Sequence, residues 1–126
     1  MKEVKQGILF LLILCANTLF AQEFTATIDK EQIKIGEQCI ITLELENTVG
    51  DNSIQFPELR DTISKFVEII QVGNIDTTFD EEDVTVQYFK QEIKVTSWDS
   101  GFYAIKPFEL ILNGDTLRTE ALLLEV

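Results

Sequence analysis

Histidine is absent from this chain, and its absence removes more chemistry than any other feature of the composition. Ser-His-Asp and Cys-His catalysis need an imidazole as base, and many zinc sites need one as ligand. Cysteine is nearly absent as well, with only Cys15 and Cys39 present. Cys39 alone lies beyond the amino-terminal apolar run, so neither a disulfide framework nor a thiolate zinc centre can be built from it. The six glycines are scattered, and none belongs to a glycine-rich phosphate loop. Bases are scarce: 10 Lys and Arg face 22 Asp and Glu, for a formal net charge of −12. A polyanion of this kind repels nucleic acid and anionic lipid, which disfavours both as partners. Catalytic carboxylate pairs need a cleft that sets their separation, and a short chain of strands has little length to spare for one. No catalytic, cofactor-binding or metal-binding residue is assigned, and a non-enzymatic protein is expected.

Long apolar runs are missing too, except at the start. Residues 1–21 read as a secretory signal peptide, with Lys2 and Lys5 before an apolar run at 8–16 and Ala21 before Gln22. A bilayer-spanning helix needs about 20 apolar residues, and this run stops at Asn17. Leu14 before Cys15 is too large for lipoprotein processing. Leu19 is also larger than the residue usual three places before a cleavage point, so retention as a signal anchor is the alternative. Export to the periplasm or cell envelope is expected, with residues 22–126 as one domain and no direct membrane insertion after cleavage. Loss of Glu3, Lys2 and Lys5 leaves that domain 21 acids and 8 bases, a net charge of −13. With 45% hydrophobic residues in the chain, it is a folded domain and not an acidic disordered tail.

What the chain does hold is a series of short β-patterned runs. From Cys39, apolar Ile41, Leu43 and Leu45 alternate with Thr42, Glu44 and Glu46, the mark of a half-buried antiparallel strand. That phase puts Cys39 on the apolar side, where a thiol is inert; a redox or intermolecular role is the alternative. Residues 24–28, 32–35, 54–56 and 66–72 give further strands. Residues 84–97 form a long one whose phase slips near Tyr88 and Phe89, predicting a bulge or bend. Residues 57–65 read as a loop with one helical turn at most. Pro107 removes a backbone donor between Tyr103 and Leu112 and predicts an edge or bulge there. Asn113-Gly114 is a strong hairpin signal ahead of residues 117–126.

The run Trp98-Asp99-Ser100-Gly101-Phe102-Tyr103-Ala104-Ile105 organises the rest. Asp99 and Ser100 form turns, and Gly101 adds backbone freedom. Tyr103 offers a ring to the core and a hydroxyl to the loop, which resembles the tyrosine corner of immunoglobulin-like sandwiches. An ordinary hairpin turn with a half-exposed tyrosine is the plainer reading. Two residues later, where antibody domains carry a cysteine, stands Ile105. The expected fold class is all-β: an immunoglobulin-like antiparallel β-sandwich of about seven strands, preceded by the signal peptide helix.

Asp76, Asp80, Glu81, Glu82 and Asp83 are the densest acidic cluster. They lack the alternating ligands and central glycine of a calcium loop, so a solvated loop is expected, with calcium binding as the alternative.

Three stretches resemble the amino-terminal domain of the BatD (oxygen-tolerance, or aerotolerance) family of Bacteroidota. Residues 24–30, Phe-Thr-Ala-Thr-Ile-Asp-Lys, with Ile35-Gly36-Glu37 are similar to the family's first strand and turn. Residues 91–96 with Ser100-Gly101-Phe102-Tyr103-Ala104-Ile105 and Pro107 resemble its strand, glycine turn and Ile-Pro strand. Asn113-Gly114-Asp115-Thr116-Leu117 resembles the closing hairpin, and Leu-Phe-Ala-Gln-Glu at 19–23 is similar to signals common in that phylum. The resemblance implies an envelope module with no catalytic residues to carry over. Its implied partners are envelope proteins, von Willebrand A-type membrane proteins among them, met by protein-protein interaction. Family members are usually longer and membrane-anchored, which makes this chain either a fragment or a stand-alone paralogue. The alternative class is a secreted adhesion or carbohydrate-binding sandwich; an exposed Trp98 beside Phe102 would favour it.

Overall fold

The structure, a computed structural model, describes residues 23–48, 50 and 53–126. The expected signal segment at 1–21, with Cys15, lies outside the described residues. The chain is all-β, and no helix among the described residues is long and apolar enough to cross a membrane. The strands are β1 (Glu23–Ile28), β2 (Gln38–Thr48), β3 (Ile54–Gln55), β4 (Thr62–Ser64), β5 (Val67–Val72) and β6 (Asp76–Phe79). They continue with β7 (Val86–Thr96), β8 (Phe102–Ile105), β9 (Glu109–Leu112), β10 (Asp115–Arg118) and β11 (Leu122–Glu125).

The two longest strands, β2 and β7, make the centre. Cys39, Ile41, Leu43 and Leu45 are buried, as are Ile93 and Val95 opposite, because period-two alternation sends each set to one face. Their pairing runs without a slip from Gln38↔Thr96 to Thr48↔Val86. A one-residue shift would turn every one of these side chains outward, so burial itself holds the register. The predicted bulge near Tyr88 and Phe89 is therefore not in this pairing. The mixed phase there reflects cover: residues 86–89 are all half-buried, with β6 lying alongside them. The irregularity falls instead on the neighbour β5, where the register to β7 shifts between Ile69 and Gln71.

The four carboxyl-terminal strands are one hairpin, interrupted once. Asn113 and Gly114 both have positive φ (51° and 84°), as a two-residue hairpin turn requires. From there Leu112↔Asp115, Glu109↔Arg118, Ile105↔Leu122 and Phe102↔Glu125 keep one register. Gly101 and Val126 continue it, exchanging backbone hydrogen bonds of 2.9 and 2.8 Å. The interruption comes at Pro107, which has no N–H to give. Thr119 closes the gap: its N–H donates to the Phe108 carbonyl at 3.0 Å, and its Oγ1 accepts the Phe108 N–H at 2.9 Å. β3 pairs only with Ile111 and Leu112 and β8 only with β11, so among the described residues no third strand pairs at Pro107, in keeping with the edge position its missing N–H predicts.

Counted through that break, one sheet orders β1-β2-β7-β5 and the other β3, β8/β9, β10/β11. Four strands facing three in this order is the immunoglobulin-like sandwich. Ile105, Leu110, Leu112 and Leu124 meet Ile41, Leu45, Ile93 and Val95 in a single core. Each such side chain contributes roughly 1.5–3 kcal/mol on burial. The segment after β1 crosses over: Gln32 makes a parallel bridge to Glu125, so the expected strand at 32–35 is reduced to one contact with β11. Two short strands are additions to the seven. β4 occupies part of the expected loop at 57–65, and β6 pairs with the first half of β7. β6 gave no apolar signal because all four of its residues are exposed.

Candidate functional site

The corner residues singled out in the sequence, Trp98 to Tyr103, lie at one end of the sandwich, where β7 leads into β8. The Tyr103 hydroxyl donates towards the Asp99 carbonyl at 2.8 Å and lies 3.1 Å from that of Ser100. Its ring packs on the core and stacks on Phe66 with centroids 5.3 Å apart. Gly101 has φ +153°, and a Cβ there would lie 3.2 Å from the Tyr103 hydroxyl oxygen. The corner is a structural device, and Ile105 behind it is fully buried.

Trp98 belongs to the same end but faces outward, with 62% of its surface exposed. Its indole N–H donates to Glu68 Oε2 at 3.0 Å. Its ring passes so close to Gly36 (φ +78°) that a Cβ would meet Cζ3 at 2.8 Å. The platform is therefore held at two points and still open to water. Beside it Lys65 places Nζ 5.1 Å from the centroid of Phe66. Trp98, Phe66, Lys65, Asp61, Glu68 and Asp99 line a groove of about 180 Å³.

A second exposed apolar group lies on the outer side of the β8/β11 pair. Phe102 and Leu123 are 72% and 59% exposed. They occupy diagonal positions, since Phe102 is opposite Glu125 and Leu123 is opposite Ala104. A depression of about 460 Å³ runs past them, lined also by Ile28, Glu31, Gln32 and Glu125. Trp98 and Phe102 line different depressions, so the two aromatics do not form one shared groove.

Cys39 sits 1% exposed in the core, and burial, followed by the charge of Asp29, pushes its thiol up to about 11. At neutral pH it carries almost no thiolate, the form that reacts. In the acidic cluster, Asp80 turns its carboxylate onto the chain itself. Oδ1 accepts the N–H groups of Glu82 and Asp83 at 2.9 and 3.0 Å, and Oδ2 accepts the Tyr88 hydroxyl at 3.0 Å. Those bonds hold Asp80 below the ordinary carboxylate range, and the same contact pushes Tyr88 up. Asp83 likewise accepts from the Thr85 amide and hydroxyl. Among the described residues no group of three or more acidic or thiol side chains converges as a metal site.

The outer face of the larger sheet carries a depression of about 370 Å³, lined by Glu23, Glu44, Glu46, Tyr88 and Lys90 among others. Lys90 stands between Glu44 and Asp76 in the cross-strand register, so its charge has neighbours of opposite sign on both sides.

Sequence reasoning missed the Trp98–Glu68 contact, the Phe66–Tyr103 stack and Thr119. The first two join residues about 30 or more positions apart, with no local signal. For Thr119 a signal existed: it stands opposite Phe108, next to Pro107, in the register set by Asn113-Gly114. Comparison of the chain with family models, curated proteins and solved structures finds no match.

Proposed function

We propose that this chain is a non-enzymatic module of the cell envelope that works by binding another protein, as its resemblance to the oxygen-tolerance family implies. The observation that carries the reading is the outer face of β8 and β11. Phe102 and Leu123 stand exposed on a paired hairpin with Glu31 and Glu125 at the rim. Exposed apolar groups rimmed by polar residues are what protein contact surfaces are made of. Carbohydrate binding is the second reading: Trp98 is exposed as it requires, but Phe102 lines a different depression and does not extend the platform.

A photo-crosslinking residue placed in turn at Phe102, Leu123 and Thr78 tests the contact in the intact envelope. Crosslinks to one envelope protein from the first two positions, and none from Thr78 on the other sheet, are expected. Equal labelling from all three positions would leave the hairpin face without a role. Export is tested separately by mass spectrometry: the mature amino terminus is expected at Gln22, and an intact Met1 in the envelope fraction would mean a retained anchor.

A further inference from the structure

We infer that the groove at Trp98 takes an arginine side chain from a basic, extended segment of a partner protein. This rests on the protein-contact reading above but concerns a different surface of the domain.

Four observations converge on it. The first is the platform. Trp98 is held by Gly36 and Glu68, yet most of its surface stays in water. A tryptophan serving only to cover the Gly36 turn would gain by burying more of its ring, because stabilisation scales with the apolar area removed from water. Its fixed position means that a ligand does not have to order it, which lowers the cost of binding.

The second is charge. Asp61, Glu68 and Asp99 line the groove, against one cation, Lys65. The domain as a whole is strongly acidic, which speeds and orients the approach of a basic partner. The third is that the chain already puts a cation on an aromatic face here, with Lys65 Nζ 5.1 Å from the Phe66 centroid. Rings attract cations through the negative charge of their faces, and tryptophan does so best. Lys65 is committed to Phe66, which leaves Trp98 for an incoming group.

The fourth is size. At about 180 Å³ the groove is smaller than the roughly 300–1,000 Å³ of small-molecule sites, and it suits one side-chain head. Arginine fits better than lysine. A planar guanidinium can stack on the indole while its N–H fork donates to a neighbouring carboxylate such as Glu68.

The test uses the signal of the indole N–H, unambiguous because the chain has one tryptophan. The folded domain is titrated with a capped Gly-Ser-Arg-Ser-Gly peptide, the same peptide with citrulline for arginine, and maltotriose. A saturable shift of the Trp98 signal with the arginine peptide and none with citrulline is expected. Glu68→Gln keeps an amide oxygen for the indole N–H but removes the charge, and should weaken binding roughly threefold to tenfold. Asp115→Asn, on β10 near the hairpin turn, should leave it unchanged. An equal shift with citrulline, a saturable shift with maltotriose, or an arginine response spread evenly over the acidic surface would each overturn the assignment. So would the absence of any response. Amide spectra of each variant confirm its fold. Because the peptides do not need Phe102 or Leu123, a failed crosslink there leaves an arginine response at Trp98 standing, and the reverse holds as well.

Discussion

Tyr103 donates its hydroxyl to the carbonyl oxygen of Asp99, 2.8 Å away and four residues upstream. That bond ties the start of β8 to the loop leaving β7, and Gly101 allows it by having no side chain between them. The carbonyl partners belong to Asp99 and Ser100, both exposed, so water can replace the hydroxyl if it is removed. Tyr103→Phe should therefore cost about 0.5–1.5 kcal/mol, a net hydrogen bond without a stranded partner. Gly101→Val should cost more, on the order of 1–3 kcal/mol, because positive φ and the crowded Cβ position act together. Urea denaturation of both variants measures this. A Gly101→Val variant as stable as Tyr103→Phe would contradict it.

Thr119 bears a prediction that follows from the hairpin register and the missing N–H of Pro107. Its Oγ1 accepts the N–H of buried Phe108 where the ladder fails beside Pro107. Thr119→Val keeps the shape and removes the acceptor, at an expected cost of about 1–3 kcal/mol for a stranded buried donor. Thr119→Ser should recover most of that. Hydrogen exchange at the Phe108 amide gives an independent check, and it should quicken in the valine variant alone.

Cys39 should resist thiol reagents in the native state and label at once in denaturant. Cys39→Ala removes a small buried group and should cost about 1 kcal/mol or somewhat more. The pH dependence follows from the raised thiol. A group whose folded pKa lies above its unfolded value contributes stability below the unfolded value and loses it as pH rises through the folded one. The penalty of Cys39→Ala should thus shrink between pH 9.0 and about 11. Rapid native labelling at neutral pH would contradict the buried reading.

Asp80 and Tyr88 should titrate as linked groups shifted in opposite directions. The lowered Asp80 contributes stability above the ordinary carboxylate range and loses it as pH falls through its folded value. The raised Tyr88 contributes stability below the ordinary phenol value and loses it as pH rises through its folded one. Asp80→Asn keeps an oxygen for the two loop amides but removes the charge facing the phenol. Tyr88 should then titrate closer to an ordinary phenol, read from its ring signals by NMR. An unchanged Tyr88 titration would show that the contact does not govern it.

Much of the fold was legible locally. Alternation at Cys39, Ile41, Leu43 and Leu45 placed one face of β2 in the core, because a strand's side chains alternate whatever lies beyond them. Asn113-Gly114 set the register of the last hairpin, because few residues other than asparagine and glycine sit comfortably at two successive positive φ values. The tyrosine corner was readable for the same reason: donor, acceptor and glycine all lie within five residues.

What the tertiary structure alone decided lies across strands distant in sequence. β6 forms because β7 offers it an edge, and no apolar pattern in Asp76–Phe79 announces that. The chain cannot show that Trp98 meets Glu68 and Gly36, or that Phe66 lies on Tyr103, because each contact depends on how separate strands are brought together. The sequence by itself determined which side chains avoid water and where the chain turns, both set by neighbours a few residues away. The candidate surfaces at Trp98 and Phe102 are made by the packing of two sheets, so only the folded chain assembles them.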